Sequence, residues 1–240
     1  MSDNDILQLL KTADTDDTDD INTNTENEEK RNNCSFQLMV DYIKSHKSDI
    51  PEPFRGTTLI EENTGLTLAM YWVHIMNKIP IPKWMIHDSN IVDSHGWTLA
   101  FHYIYVNHSE PPLFMKHDST LQSESGRTVL MMYLIYRDQE LENKPVPLWM
   151  IHSPYIFDKY GYSLIDYWLS TNSDPIPETI LSQIPDPPKF VNGRNEHIAT
   201  SYIYRRNQMP PEEFMIPFDT ATSFSTFGEI CRQHKLIDTN

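Results

Sequence analysis

The stretch that decides the fold reads Ile91-Val-Asp-Ser-His-Gly-Trp-Thr-Leu-Ala-Phe-His-Tyr-Ile104, followed after a polar gap by Pro111-Pro-Leu-Phe-Met-Lys-His-Asp118. Its importance lies in recurrence. The large apolar residue one to three places after a proline pair is Phe54, Trp84, Phe114, Trp149, Ile180 and Phe214, at intervals of 30, 30, 35, 31 and 34 residues. A near-constant period of this size marks a chain of stacked helical units.

Two residue types carry the pattern. Gly65, Gly96, Gly126 and Gly161 each stand two places before a hydroxyl residue: Thr67, Thr98, Thr128 and Ser163. Four of the seven glycines in one slot imply a turn position with positive φ, where a Cβ would be strained. The hydroxyl then stands where a helix N-cap belongs. The segments that follow, Leu68–Val73, Leu99–Ile104, Val129–Leu134 and Leu164–Leu169, are apolar on a wide stripe suited to helices buried between neighbours. Twelve of the seventeen prolines fall in pairs: Pro51/Pro53, Pro80/Pro82, Pro111/Pro112, Pro145/Pro147, Pro175/Pro177 and Pro210/Pro211. Each pair ends one helix and pre-sets φ for a second, short helix of about two turns, whose large apolar residue is expected to point inward. The outer units lack the glycine but keep a stripe tyrosine, Tyr42 and Tyr202, giving about six units over residues 35–218.

The flanks differ in character. Residues 1–31 hold ten acids and three bases, so they carry −7 of the net −15. Residues 13–33 have one large apolar residue, Ile21, and the 1–34 segment reads as a disordered acidic arm. Ile6, Leu9 and Leu10 form a short apolar strip, read as a frayed end or a strip covering the first unit in preference to a partner-binding helix. Residues 219–240 read as a capping helix and tail, with Phe227, Ile230 and Cys231 on one face.

Asp93-Ser-His-Gly96-Trp-Thr98 and Asp158-Lys-Tyr-Gly161-Tyr-Ser163 resemble the turn and first-helix start of ankyrin repeats, and the period agrees. The resemblance covers residues 35–218. It departs in lacking the Pro-Leu-His after the threonine and in replacing the longer second helix by Pro-x-x-Trp-Met-x-His-Asp. It implies an all-α solenoid of divergent ankyrin-like helix-turn-helix repeats, with projecting turns and a concave face that binds other proteins.

Composition narrows function further. With 39% hydrophobic residues, the chain can build a sizeable core. An acidic chain without a basic patch is not expected to bind nucleic acid. Two cysteines, Cys34 and Cys231, support neither a disulfide framework nor a zinc cluster, and no signal peptide or membrane-length apolar run is visible, so a cytoplasmic protein is expected. The recurring His87-Asp88, His117-Asp118 and His152-Ser153 suggest a metal-dependent hydrolase. They recur one unit apart, about 10 Å between stacked helices, so one metal cannot bridge them. A structural role is simpler: imidazole bonding to backbone of the adjacent unit, and aspartate capping the next turn. No nucleophile motif, phosphate loop or cofactor box is found.

The expected function is a non-catalytic protein–protein interaction scaffold, without cofactor, with the metal-dependent hydrolase as the alternative. Partner contacts are expected from the residue after each glycine, Leu66, Trp97, Arg127 and Tyr162, and from the variable helix position, Tyr71, His102, Met132 and Tyr167.

Overall fold

The computed structural model describes residues 36–51, 60–86, 88–137 and 145–215. The acidic arm, Phe54, His87, Cys34 and the capping helix with Cys231 lie outside the described residues. Two compact units are present, Met1–Asn107 and His108–Asn240.

The described part is all-helical. In the first unit are α1 (residues 36–46), α2 (Leu68–Met76) and α3 (Leu99–Asn107). The second holds α4 (Val129–Tyr136), α5 (Leu164–Thr171), α6 (Glu178–Leu181) and α7 (Ile198–Arg206). Helices follow one another in packing: α2 against α3 in the first unit, and α4 against α5 and α5 against α7 in the second. Extended pairing among the described residues is confined to isolated bridges, Ile60 with Thr67, Phe157 with Ser163 and Val191 with His197. None of the described helices is long and apolar enough to cross a membrane.

The glycine turns take the expected backbone. Gly126 and Gly161 have φ of 78° and 83°. Conformation is only half the reason for glycine. A Cβ on Gly126 would stand 2.7 Å from the Lys159 nitrogen and 2.9 Å from the Asp158 Cα, both in the following turn. The turns touch because their backbones are bonded: Lys159 N–H donates to the Ser125 carbonyl at 3.0 Å in the second unit, and Ser94 N–H to the Thr64 carbonyl at 2.7 Å in the first. In the last turn Asn195 takes the slot with φ 60°, because a short amide side chain tolerates the left-handed region.

Hydroxyl caps form at three helix starts. Thr67, Thr128 and Ser163 accept from the N–H of Met70, Met131 and Asp166. Thr98 differs: it is fully buried, and its Oγ1 makes no hydrogen bond among the described residues.

The second helix is shorter than expected. After the prolines the chain makes a single three-residue 3₁₀ turn at Lys83–Met85, Leu113–Met115, Leu148–Met150 and Glu212–Phe214. The next residues, Ile86 and Ile151, are already extended, so no further helical bond can form. Among the described residues, only α6 winds a full turn after its proline pair. The inward residue is also corrected. Phe114 is 42% exposed, while the methionines one place later, Met85, Met115 and Met150, are at most 1% exposed. A three-residue turn rotates the last side chain rather than the middle one toward the core, and unbranched methionine fits the irregular gap. Ile180 and Phe214 do point inward, at 0% and 3% exposure.

Candidate functional site

Each turn opens with a residue that ties it together. Asp93 Oδ1 accepts from the N–H of His95 and of Trp97, both at 2.8 Å. Asp158 Oδ1 accepts from Tyr160 and Tyr162 at 2.8 and 2.9 Å, and Asn192 Oδ1 from Arg194 and Glu196 at 2.9 and 3.0 Å. Ser123 does this more weakly, accepting from Arg127 N–H at 3.2 Å.

The second carboxylate oxygen meets the variable helix position. Tyr167 donates its hydroxyl to Asp158 Oδ2 at 2.7 Å, and His102 Nε2–H donates to Asp93 Oδ2 at 3.2 Å. Tyr71 donates likewise to Glu61 Oε2 at 3.2 Å. Where the turn offers Ser123 instead of an acid, the helix offers Met132, which is 1% exposed. His102 and Met132 are therefore buried, at 5% and 1%, and present no surface; Tyr71 and Tyr167 are half-buried. This position serves first as a bolt between helix and turn.

Two of these bolts are extended. In the first unit His74 Nε2–H donates to His102 Nδ1 at 2.8 Å, since His102 already spends its Nε2–H on Asp93. The His74 imidazole is held below the usual histidine range by burial and by His102. The Asp93 carboxyl stays below its ordinary value because hydrogen bonds from His102 and the turn outweigh burial, the largest single influence. In the second unit Arg127 Nε–H donates to the Tyr167 hydroxyl at 3.0 Å, completing a line Arg127–Tyr167–Asp158. Burial and the bond to Asp158 push the Tyr167 hydroxyl up to about 12, so it remains a donor at any physiological pH.

That line borders an open cavity of about 460 Å³ in the second unit, with Tyr160, Tyr162, Ile135 and Arg205 also on its wall. Tyr162 carries two guanidiniums, Arg205 at 4.6 Å and Arg194 at 4.8 Å from its ring centroid, distances at which a cation is attracted to the ring. Three of the eight sequence-chosen residues, Arg127, Tyr162 and Tyr167, thus meet at one concavity. In the first unit Leu66 and Trp97 are half-buried, and Trp97 packs on Phe101, His102 and Tyr105.

Sequence reasoning missed Asp166 and Arg205. Asp166 is 2% exposed, yet its Oδ2 accepts from Ser163 N–H, the Ser163 hydroxyl and Asn192 Nδ2 at 2.8, 2.8 and 3.1 Å. The signal was the capping-box spacing of Ser163 and Asp166. Arg205 follows the stripe tyrosine Tyr202 on α7, and no periodicity marks it.

The described histidines of the His-Asp slots have local partners. His152 Nδ1 lies 2.8 Å from the Ser153 carbonyl, so it must carry the proton and donate. Burial holds the ring below the usual histidine range, hence neutral, so Nε2 accepts from the Thr128 hydroxyl at 2.6 Å. His117 Nδ1–H donates to the Asp118 carbonyl at 2.7 Å. The expected bond to backbone of an adjacent unit is thus replaced by a bond to the very next residue, because the extended chain after the 3₁₀ turn brings that carbonyl beside the ring. The aspartate behaves as expected: Asp118 Oδ1 accepts from Thr120 N–H at 2.9 Å and Asp88 Oδ1 from Asn90 N–H at 2.9 Å. Among the described residues, no three His, Cys, Asp or Glu side chains are grouped to hold a metal ion.

No family model matches the chain, and neither does any curated protein or solved structure.

Proposed function

We propose that each compact unit is a short stack of divergent ankyrin-like repeats, and that the chain is a non-catalytic scaffold binding another protein through its turns and the adjoining helix faces. The observation that carries this reading is the cavity where Arg127, Tyr162 and Tyr167 meet. Tyrosine and arginine are the residue types that dominate interface energetics, and a concavity lets them surround a partner side chain. Support for the repeat reading comes from the bonded neighbouring turns, Thr64 to Ser94 and Ser125 to Lys159. Such turns hold their side chains in register and give a rigid platform, so little ordering entropy is lost on binding.

The test is affinity capture with quantitative mass spectrometry, using the wild-type chain and a Tyr162→Ala/Arg205→Ala variant that melts like it. A partner retained by the wild type and lost by the variant is expected. Capture of nothing that depends on these residues would sink the reading.

A further inference from the structure

Resting on the scaffold reading, we propose that the second-unit cavity receives an acidic segment of the partner, one carboxylate on the arginine rim and an adjacent apolar side chain against Ile135 and the tyrosine rings.

The charges around the cavity are not equally available to a ligand. Asp158 and Asp166 border the cavity, but both are buried, at 5% and 2% exposure. Asp158 is bonded by two backbone N–H groups and Tyr167, and Asp166 by Ser163 and Asn192. These carboxylates are committed to holding turn and helix and cannot swing out. The guanidiniums are differently placed. Arg194 pairs with Glu196 at 3.2 Å, whereas neither Arg127 nor Arg205 makes an ion pair with a described residue. Arg205 is exposed, and stacking over Tyr162 holds it without consuming its N–H donors. Arg127 spends Nε on Tyr167. A guanidinium fixed over a ring is pre-organised for a carboxylate, because the planar fork matches two oxygens and little side-chain entropy remains to be lost.

The same arrangement argues against a cationic guest. Three tyrosines could suggest an aromatic cage, but the Tyr162 and Tyr167 rings already have the chain's own guanidiniums over them, Arg127 at 5.9 Å from the Tyr167 centroid. An incoming ammonium would meet Arg127 and Arg205. The apolar half follows from Ile135 and the ring walls, which a purely charged ligand would leave unfilled.

A random-peptide library displayed on phage, selected on the full chain, tests this. Enriched peptides are expected to carry Asp or Glu beside one large apolar residue. In fluorescence anisotropy with a labelled winner, replacing its acid by the amide should weaken binding about tenfold or more, as should Arg205→Gln or Arg127→Gln. Arg205→Gln should melt like the wild type. Enrichment of neutral or basic peptides, indifference to both arginine substitutions, or no enrichment at all would overturn the proposal. Peptides that bind while ignoring both arginines would still leave the scaffold reading standing. Failure of the capture experiment would remove the scaffold itself.

Discussion

At the residue scale, the governing feature is a buried carboxylate answered by a helix donor. Asp158 and Tyr167 are nine residues apart, as are Asp93 and His102. Tyr167→Phe keeps the ring but leaves Asp158 Oδ2 without its hydroxyl donor. A buried charged acceptor stripped of a partner costs about 1–3 kcal/mol, and urea unfolding should show a loss of that size. Asp158→Asn should be milder, because Asn192 already bonds its own turn through the same oxygen. Equal losses for the two substitutions would count against this account. Histidine follows similar logic. His152→Ala strands the Thr128 hydroxyl, and His117→Ala opens a buried site, so losses of about 1–3 kcal/mol are expected at each, unchanged by chelator. One chelator-sensitive histidine beside a silent one would favour the hydrolase alternative.

At the element scale, the positive-φ slot answers substitution in opposite ways in two turns. Gly126→Ala places a Cβ in the left-handed region, which costs about 1–2 kcal/mol before the clash with Lys159 is counted. Asn195→Gly, at φ 60° in the corresponding turn, should lower stability little or raise it. Differential scanning of the two variants checks this, and a Gly126→Ala protein as stable as wild type would be incompatible with the turn contact. At the other end of α5, Arg206 donates to the carbonyls of Asn172 and Ser173 at 2.8 and 3.1 Å and also to that of Asp174. These are the open acceptors after a helix, and a cation there also meets the negative end of the helix dipole. Arg206→Lys keeps charge but not the fork, so a loss of about 1 kcal/mol is expected in urea unfolding.

The same scale shows what was legible in the sequence. Glycine, hydroxyl and apolar stripe locate α2 to α5, because each reports a backbone or packing requirement that shows within its own short segment. The proline pairs locate the second element but not its length, since a 3₁₀ turn and a short helix begin with the same φ. Which residue of Leu113-Phe-Met115 is buried depends on the rotation of that turn, and rotation leaves no periodicity to read. In the site, Arg127 and Tyr162 could be chosen from their slot after glycine. His102 could not be recognised as buried, because its partner Asp93 lies across the turn, and Met132 could not, because nothing in its slot marks it off from the half-buried tyrosines. The nine-residue spacing of acid and donor was readable, but only as a pair.

At the scale of the whole molecule, stability should depend on pH through the buried histidines before it depends on the carboxylates. Burial lowers the affinity of His117 and His152 for a proton relative to the unfolded chain. Between the folded value and the ordinary histidine value near 6.5, the unfolded state therefore binds more protons than the native state. Stability consequently rises with pH through that interval, is complete above it, and is lost as pH falls through about 6.5 and below. Asp93 works in a lower window. Its folded value lies below the ordinary carboxylate value, so its contribution survives at pH 5 and disappears only as pH falls past that value. Thermal melts from pH 7.5 to 5.5 should thus show a falling midpoint in the wild type. His152→Gln removes one titrating group, and whatever its absolute stability, its midpoint should fall less across the same range. A wild-type midpoint that holds or rises on acidification would mean that His117 and His152 are not kept neutral by the fold. An unaltered pH dependence in His152→Gln would mean that the bond between Thr128 and His152 does not couple protonation to folding.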